Sequence, residues 1–398
     1  MTLNNITTIA SVNIEKLQRE KIKIVKFIHA SDIHLGCQQY RNSHLSEDYI
    51  KAFQEILSIA KEQWVDFIIL GGDVFTSLEI LPGNLLKIIN ILTEFRFYTD
   101  EKIPIIAIEG NHDIRRYTFT KKLVKQGQSW LKLIASFGLI ILLDANLNAR
   151  PIEMFKYYNH DLKKGGKIQI KNVVIYGIRY IGQEPVEYLS NIRAAIEKKE
   201  GVFNILLQHY GIEGQMENIP GVKIREVEIL KDKIDYLALG HFHRQFIVND
   251  WIYNPGSSEA TSSIDTSFKR GIFLVEVFKD EIFKKSIKII RLNNRSHQWQ
   301  TIFVSKQQKN KQELYNEVIN KLEKVFRYSD TNIKPSDSEM PILNLILKGE
   351  EPSKSCKIKI NDLRELLCNT FPIIDVKIYQ KFTKQTSTLD KYLLKCIN

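Results

Sequence analysis

The chain has 398 residues, is 43% hydrophobic and 26% charged, and carries a formal net charge of +11. That is a soluble globular balance long enough for two domains. No apolar run is long enough to span a bilayer, so no membrane partner is expected, and the excess of Lys and Arg favours a polyanion such as nucleic acid.

Residues 1–22 read as a loose N-terminal tail: they lack the apolar core of a signal peptide and contain Glu15 and Glu20. The four cysteines, Cys37, Cys356, Cys368 and Cys396, form no CxxC pair, as expected of reduced thiols in a cytosolic protein. Ile24 to Ala30 reads as a first strand running into Ser31-Asp32-Ile33-His34-Leu35-Gly36. Asp32 and His34, spaced i and i+2, would share one face of an extended segment. A helix is predicted over Glu47 to Gln63, with Ile50, Phe53, Ile56, Leu57 and Ala60 at helical spacing. Next comes Phe67 to Phe75, FIILGGDVF: an apolar strand, a glycine turn, and Asp73 at the strand's C-terminal end, where α/β sheets carry their sites. Leu85 to Phe95 reads as a helix. Pro104 to Glu109 reads as a third strand, delivering Gly110-Asn111-His112-Asp113.

The middle is less regular. Trp130 to Phe137 is predicted helical and Leu139 to Leu143 a short strand. Met154 to Lys167 reads as a surface loop, Ile168 to Ile178 as hairpin arms and Asn191 to Glu200 as a charged helix. Phe203 to Leu207 is a strand delivering Gln208-His209, and Asp235 to Leu239 another delivering Gly240-His241-Phe242-His243. A turn at Asn254 to Ser258 leads through a Ser/Thr-rich loop to Ser267, and Gly271 to Phe278 with Ile287 to Ile290 closes the sheet. A domain boundary is expected at Ser305 to Lys311, where apolar residues vanish, giving domains at 23–304 and 311–398. The second reads α-β-α-β: Leu314–Phe326, Ile342–Leu347, Ile360–Leu367 and Ile373–Tyr379.

Singly, each polar cluster is weak evidence: GNHD alone caps a helix, and GGD alone is a turn. Together Asp32, His34, Asp73, Asn111, His209, His241 and His243 form an ordered series, each at the end of an apolar strand. Imidazole, carboxylate and amide oxygen suit Mn²⁺, Fe or Zn²⁺ rather than Ca²⁺ or Mg²⁺. Seven groups suit two ions sharing a carboxylate, an arrangement that can hold a phosphodiester and activate water against it. His112 neighbours a ligand and is the candidate general acid, with Asp113 placed to orient its imidazole.

The ordered set resembles the calcineurin-like metallophosphoesterase superfamily over about Ile24 to Ile290. Within it, ASDIHLG, GGDVF, AIEGNHD, GHFH, the NPGS turn and RGIFLVEV are most similar to the DNA double-strand-break repair nucleases. The resemblance implies an α/β fold, a two-sheet sandwich flanked by helices with a small C-terminal α+β capping domain. It implies a manganese-dependent DNA nuclease holding two Mn²⁺, with Fe or Zn²⁺ as alternatives. By position, one ion would take Asp32, His34, Asp73 and His243, the other Asp73, Asn111, His209 and His241, and His112 would assist the leaving group. It further implies a nucleoid-associated protein, a homodimer through the helices Leu85–Phe95 and Leu123–Phe137, and an SMC-like coiled-coil ATPase partner, for which Leu389–Ile397 is the candidate docking helix. The chain departs from the family at Thr76, where a histidine tied to exonuclease action is usual. Arg115, Arg116, Lys121, Lys122 and the pair Arg179-Tyr180 are candidate contacts to DNA phosphates.

Overall fold

The computed structural model describes residues 22–38, 43–114, 129–182, 185–279, 281–305, 310–326, 336–337, 339–352 and 356–383. The expected N-terminal tail apart from Ile22, the four basic residues from Arg115 to Lys122 and the segment Leu389–Ile397 lie outside the described residues, and of Leu123–Phe137 only the part from residue 129 is described. The chain divides into two compact units, Met1–Asn293 and Asn294–Asn398.

The first unit runs β1 (Ile22–Ala30), α1 (Ser43–Glu62), β2 (Phe67–Leu70), α2 (Pro82–Tyr98), β3 (Ile105–Ala107), α3 (Trp130–Ser136) and β4 (Ile141–Leu142). It continues with α4 (Pro151–Met154), β5 (Lys167–Ile170), β6 (Val173–Gly177), α5 (Val186–Ala195), β7 (Phe203–His209), α6 (Ile224–Val227), β8 (Tyr236–Gly240), β9 (Phe246–Val248), β10 (Ile252–Asn254), β11 (Gly271–Lys279) and β12 (Phe283–Arg291). These strands form two sheets, ordered β12-β11-β1-β2-β3-β4 and β5-β6-β7-β8-β10-β9.

The two sheets face each other, and strand periodicity decides what fills the space between them. Val25 and Phe27, Phe67 and Ile69, Ile106 and Ile108 point inward against Val173, Ile175, Phe203, Ile205, Leu207 and Tyr236. Their alternates, Ile28, Ala30, Ile68, Leu70, Ile105 and Ala107, point outward into a second core with α1, α2 and α3. Burial on both faces is why these strands read as continuous apolar runs. The Phe27 and Phe67 rings stack at 4.9 Å and 10°; truncating Phe67 to alanine would cost about 3–5 kcal/mol. On α1 the residues at helical spacing, Ile50, Phe53, Ile56, Leu57 and Ala60, are all buried, together with Leu45, Ser46, Tyr49 and Ala52. The other sheet's outer face packs against Leu189 and Ile192 of α5 and Leu230. No described helix is long and apolar enough to cross a membrane.

Several expected boundaries move. Helix α5 begins at Val186 and ends at Ala195, because Leu189 and Ile192 are its anchoring residues; the charged stretch from Glu197 to Glu200 offers nothing to bury and falls beyond it. The expected surface loop at Met154–Lys167 buries Met154, Phe155 and Tyr158. Strands β9 and β10, three residues each, are too short to show a period; Asn249 and Asp250 join them at φ of 54° and 46°.

The second unit begins with a strand, β13 (His297–Val304), followed by α7 (Lys311–Phe326), β14 (Ile342–Glu350), α8 (Ile360–Thr370) and β15 (Asp375–Thr383). β14 pairs in parallel with both β13 and β15. The polar stretch Ser305–Lys311 therefore lies inside this unit, between its first strand and first helix, and the pairing of β13 moves the division back to Asn293/Asn294. One face of the sheet carries Ile302, Leu343, Leu345, Leu347, Val376 and Ile378 against Leu314, Val318 and Leu322 of α7 and Leu363 and Leu367 of α8.

Candidate metal centre

The strand ends of both sheets in the first unit deliver Asp32, His34, Asp73, Asn111, His112, His209, His241 and His243 to one place. His34 Nε2 lies 3.1 Å from His243 Nε2 and 4.0 Å from carboxylate oxygens of both Asp32 and Asp73. His209 Nε2 lies 3.4 Å from Asp73 Oδ2 and 3.1 Å from Asn111 Oδ1, and Asn111 Oδ1 is 3.0 Å from His241 Nδ1. Three overlapping groups present ligand atoms within 4.8 Å of one another: Asp32-His34-His243, His34-Asp73-His112 and Asp32-Asp73-His209. Asp73 belongs to two of them and stands beside Asn111's partner His209, between the two halves of the site.

The backbone reaches this geometry by left-handed turns, not by strand alternation. β1 stops at Ala30, and Asp32 and His34, expected to share a face of an extended segment, have φ of 51° and 52°; Asp73 has 51° and His241 has 91°. Side chains with a Cβ rarely adopt this region, at about 1–2 kcal/mol per residue. Four of the expected ligand positions thus share this strained backbone, which eight other non-glycine residues among those described also adopt. The loops brace one another: Asp32 N–H donates to Gly72 O and His34 N–H to Asp73 O, both at 3.0 Å. Gly110 is required by close approach, since a Cβ there would lie 2.2 Å from Asp73 Oδ1.

Three imidazoles, those of His209, His243 and His112, are aimed by their other nitrogen. His209 Nδ1–H donates to Gly71 O at 2.7 Å, leaving Nε2 for the site. His243 Nδ1 is 2.9 Å from Asp265 Oδ2, and Thr261 Oγ1 donates to the same carboxylate oxygen at 2.7 Å. No motif marks Asp265; its signal in the sequence is only an acid within a Ser/Thr-rich loop. His112 Nδ1–H donates to Thr76 O at 2.9 Å, which directs Nε2 toward Asp73 Oδ2, 4.0 Å away. Thr76 thus fixes His112 through its main chain. Asp113 does not orient the imidazole as expected: its carboxylate accepts N–H groups of Phe75 at 2.8 Å, Gly110 at 2.9 Å and Val74 at 3.3 Å, tying the β2 and β3 loops together. Arg179 is exposed and Tyr180 half-buried, and the Tyr180 ring lies 6.0 Å from the rings of both His209 and His241.

Electrostatics follow from burial of charge. Asp32 is fully buried, which pushes its pKa up, with His209 and His243 opposing. Burial acts on Asp73 too, but His209, His34 and His112 hold its carboxyl below the usual range. Burial pulls His209 down, yet the Asp73 carboxylate outweighs it and pushes it up to about 9. Burial lowers His34, and lowers His241 to about 4. Burial also acts on His243, but the Asp265 hydrogen bond raises it, while that bond takes Asp265 down to about 2. Two buried carboxylates, an amide oxygen and opposed imidazole nitrogens are a donor set for borderline divalent cations, which bind imidazole in its neutral form.

Close by in the chain, Arg244, Lys269 and Arg291 line a cleft of about 440 Å³ with Gln245, Ser267 and Phe268. Arg291 donates to Gln245 Oε1 at 3.0 Å, and among the described residues no carboxylate pairs with these three cations.

Residues 25–245 match the calcineurin-like phosphoesterase family. The DNA double-strand break repair protein Mre11 of Archaeoglobus fulgidus is 28% identical over 223 residues, 55% of this chain and 46% of that protein. Mre11 of Saccharolobus solfataricus is 24% identical over 373 residues, 92% of this chain and 84% of that one. The double-strand break repair protein MRE11 of Arabidopsis thaliana is 27% identical over 300 residues, 64% of this chain and 40% of that one. The match therefore spans less than half the length of the first and third of these relatives.

Proposed function

Because the chain belongs to the calcineurin-like phosphoesterase family, we propose that it is a manganese-dependent DNA nuclease that hydrolyses phosphodiester bonds in double-strand-break repair. The observation that carries this reading is the meeting of two strand-end clusters at Asp73, whose carboxylate faces His34 on one side and His209 on the other. Relatives across archaea and plants that bear the name of a break-repair protein supply the substrate class.

In this reading Asp32, His34, Asp73 and His243 hold one Mn²⁺, and Asp73, Asn111, His209 and His241 the other. Once bound, the ions would supply Lewis acidity toward the phosphate and acidify water. The chain does the rest. Asp265 and Gly71 O keep the His243 and His209 rings turned so that Nε2 faces inward. His112, tethered at Nδ1 by Thr76 O, keeps Nε2 on the side of the site and serves as the general acid toward the leaving oxygen. Arg244, Lys269 and Arg291, which no carboxylate pairs among the described residues, offer positive charge to flanking phosphates, and Arg179 beside Tyr180, 3.8 Å from the Asp144 carboxylate, is a further candidate. The first unit, to Asn293, acts as the nuclease domain and the second, from Asn294, as the cap. An SMC-like coiled-coil ATPase and a second copy of the chain, meeting through α2 and α3, are the proposed protein partners. Leu81, Leu86, Phe97 and Tyr98 in and beside α2 are exposed, as such an interface requires.

The test is hydrolysis of labelled single-stranded and duplex DNA with and without Mn²⁺, beside a His112→Ala variant. Cleavage that needs the metal and His112 is expected. Turnover of a small phosphodiester with intact DNA would identify a small-molecule phosphodiesterase. Failure to retain any metal would leave only a scaffold of this fold.

A further inference from the structure

The sheet of the second unit has two unlike faces. Helices α7 and α8 cover one. The other shows three rows set by the strand register: Trp299-Asn344-Lys377, Thr301-Ile346-Tyr379 and Phe303-Lys348-Lys381. Three aromatics and three lysines are thus interleaved over nine positions. Trp299 is 45% exposed and Phe303 65%. Among the described residues no helix covers this face, and a solvated sheet face ordinarily carries polar residues, not large rings.

The rings are held flat and near cations. Trp299 and Tyr379 stand on the two outer strands yet lean together over the middle one, their rings 5.7 Å apart and only 19° from parallel. Lys377 Nζ sits 5.3 Å from the Tyr379 ring, and Lys348 Nζ sits 5.9 Å from the Phe303 ring. In the first row Asn344 is fully buried, and neither atom of its amide finds a hydrogen-bond partner among the described residues. The fold bears that cost at the floor of this face.

We propose that this face is a platform for a single strand of nucleic acid, with bases stacking on Trp299, Tyr379 and Phe303 and the backbone running along Lys348, Lys377 and Lys381. Flat rings interleaved with cations answer both parts of a single-stranded polynucleotide, its unpaired bases and its phosphates. A duplex hides the base faces that these rings would meet, and a protein helix would call for an apolar groove not interrupted by lysines. The inference rests on the nucleic-acid reading above, but not on cleavage.

The test uses the full chain in EDTA with a fluorescent oligothymidylate, read by anisotropy across a salt series. Two double variants are compared with wild type: Trp299→Ala with Phe303→Ala, and Lys348→Glu with Lys381→Glu. The aromatic variant should bind about tenfold more weakly or worse, in line with loss of stacked bases. The charge variant should bind more weakly with a shallower dependence on log salt. Thermal melts accompany both. If the aromatic variant fails to fold, the charge variant, which leaves the packed face alone, decides. Wild-type affinity in the folded variants would overturn the proposal, as would equal affinity for an abasic strand or failure of the wild type to bind the oligonucleotide. Hydrolysis of bis-(p-nitrophenyl) phosphate with Mn²⁺ separates this from the nuclease reading. A protein that binds the strand through this face but hydrolyses no phosphodiester defeats that reading and leaves this one standing.

Discussion

Asp265 Oδ2 lies 2.9 Å from His243 Nδ1, across 22 positions of sequence, and so turns the other ring nitrogen, Nε2, toward His34 and Asp32. Carboxylates that hold a ligand histidine this way typically account for about 10- to 100-fold in metal affinity. Asp265→Asn should therefore weaken Mn²⁺ binding by about that factor in isothermal titration. It should also lower the melting temperature of the metal-free protein, because the same carboxylate accepts the Thr261 and Ser262 N–H groups, so affinity is compared under conditions where both proteins are folded. An unaltered affinity would remove Asp265 from the centre.

His112 and Asp113 are neighbours in sequence with opposite expected phenotypes. His112→Ala should lower phosphodiester turnover about 10²- to 10⁴-fold, with bound metal per chain unchanged by elemental analysis. Asp113→Asn takes one acceptor from the Phe75, Gly110 and Val74 N–H groups. Its expected signature is a fall in stability of about 1–3 kcal/mol by urea denaturation. A selective loss of turnover without loss of stability would return Asp113 to a direct role.

Gly110→Ala places a methyl 2.2 Å from Asp73 Oδ1, whereas Gly83→Ala in α2 meets nothing within 4 Å. The first should abolish metal retention and cost stability of about 1–3 kcal/mol from overpacking. The second should be neutral or slightly stabilising. Metal retained by Gly110→Ala at wild-type affinity would mean that the loop gives way.

His29 lies between the two sheets, with Nδ1 3.0 Å from the Tyr236 hydroxyl and Nε2 3.1 Å from Leu239 O, and burial lowers its pKa to about 3. In the unfolded chain it titrates near its ordinary value of 6.5. Between those values the unfolded state binds the extra proton, so stability rises with pH across that window and is lost as pH falls below 6.5. The slope from this one group approaches about 1.4 kcal/mol per pH unit inside the window. His29→Asn should flatten the wild-type curve of unfolding free energy between about pH 6 and pH 4 by about that amount. Parallel curves would show that His29 is not the group responsible.

The candidate ligands were legible because they follow a local rule. Phe67–Leu70, Pro104–Ala107, Phe203–Leu207 and Tyr236–Leu239 are apolar runs, and the residues just after each run must sit at a sheet's C-terminal edge. Strand β13 escaped because Trp299, Thr301 and Phe303 lie on its open face, so no core pattern runs through it; its membership in the second unit comes from pairing with β14. The short strands β9 and β10 escaped because three residues carry no period.

By itself, then, the sequence determined which chemical groups stand at the strand ends, since that depends on neighbours along the chain, while the two-sheet arrangement followed from the family resemblance and not from local pattern. The tertiary structure alone decided which nitrogen of His112 and His243 faces inward, that Asp113 ties loops rather than aiming a ring, and that Asp32, His34 and Asp73 turn through left-handed backbone. Those choices are made by contacts between segments some 20 to 40 positions apart, such as Asp113 with Val74, and no pattern of adjacent residues encodes them.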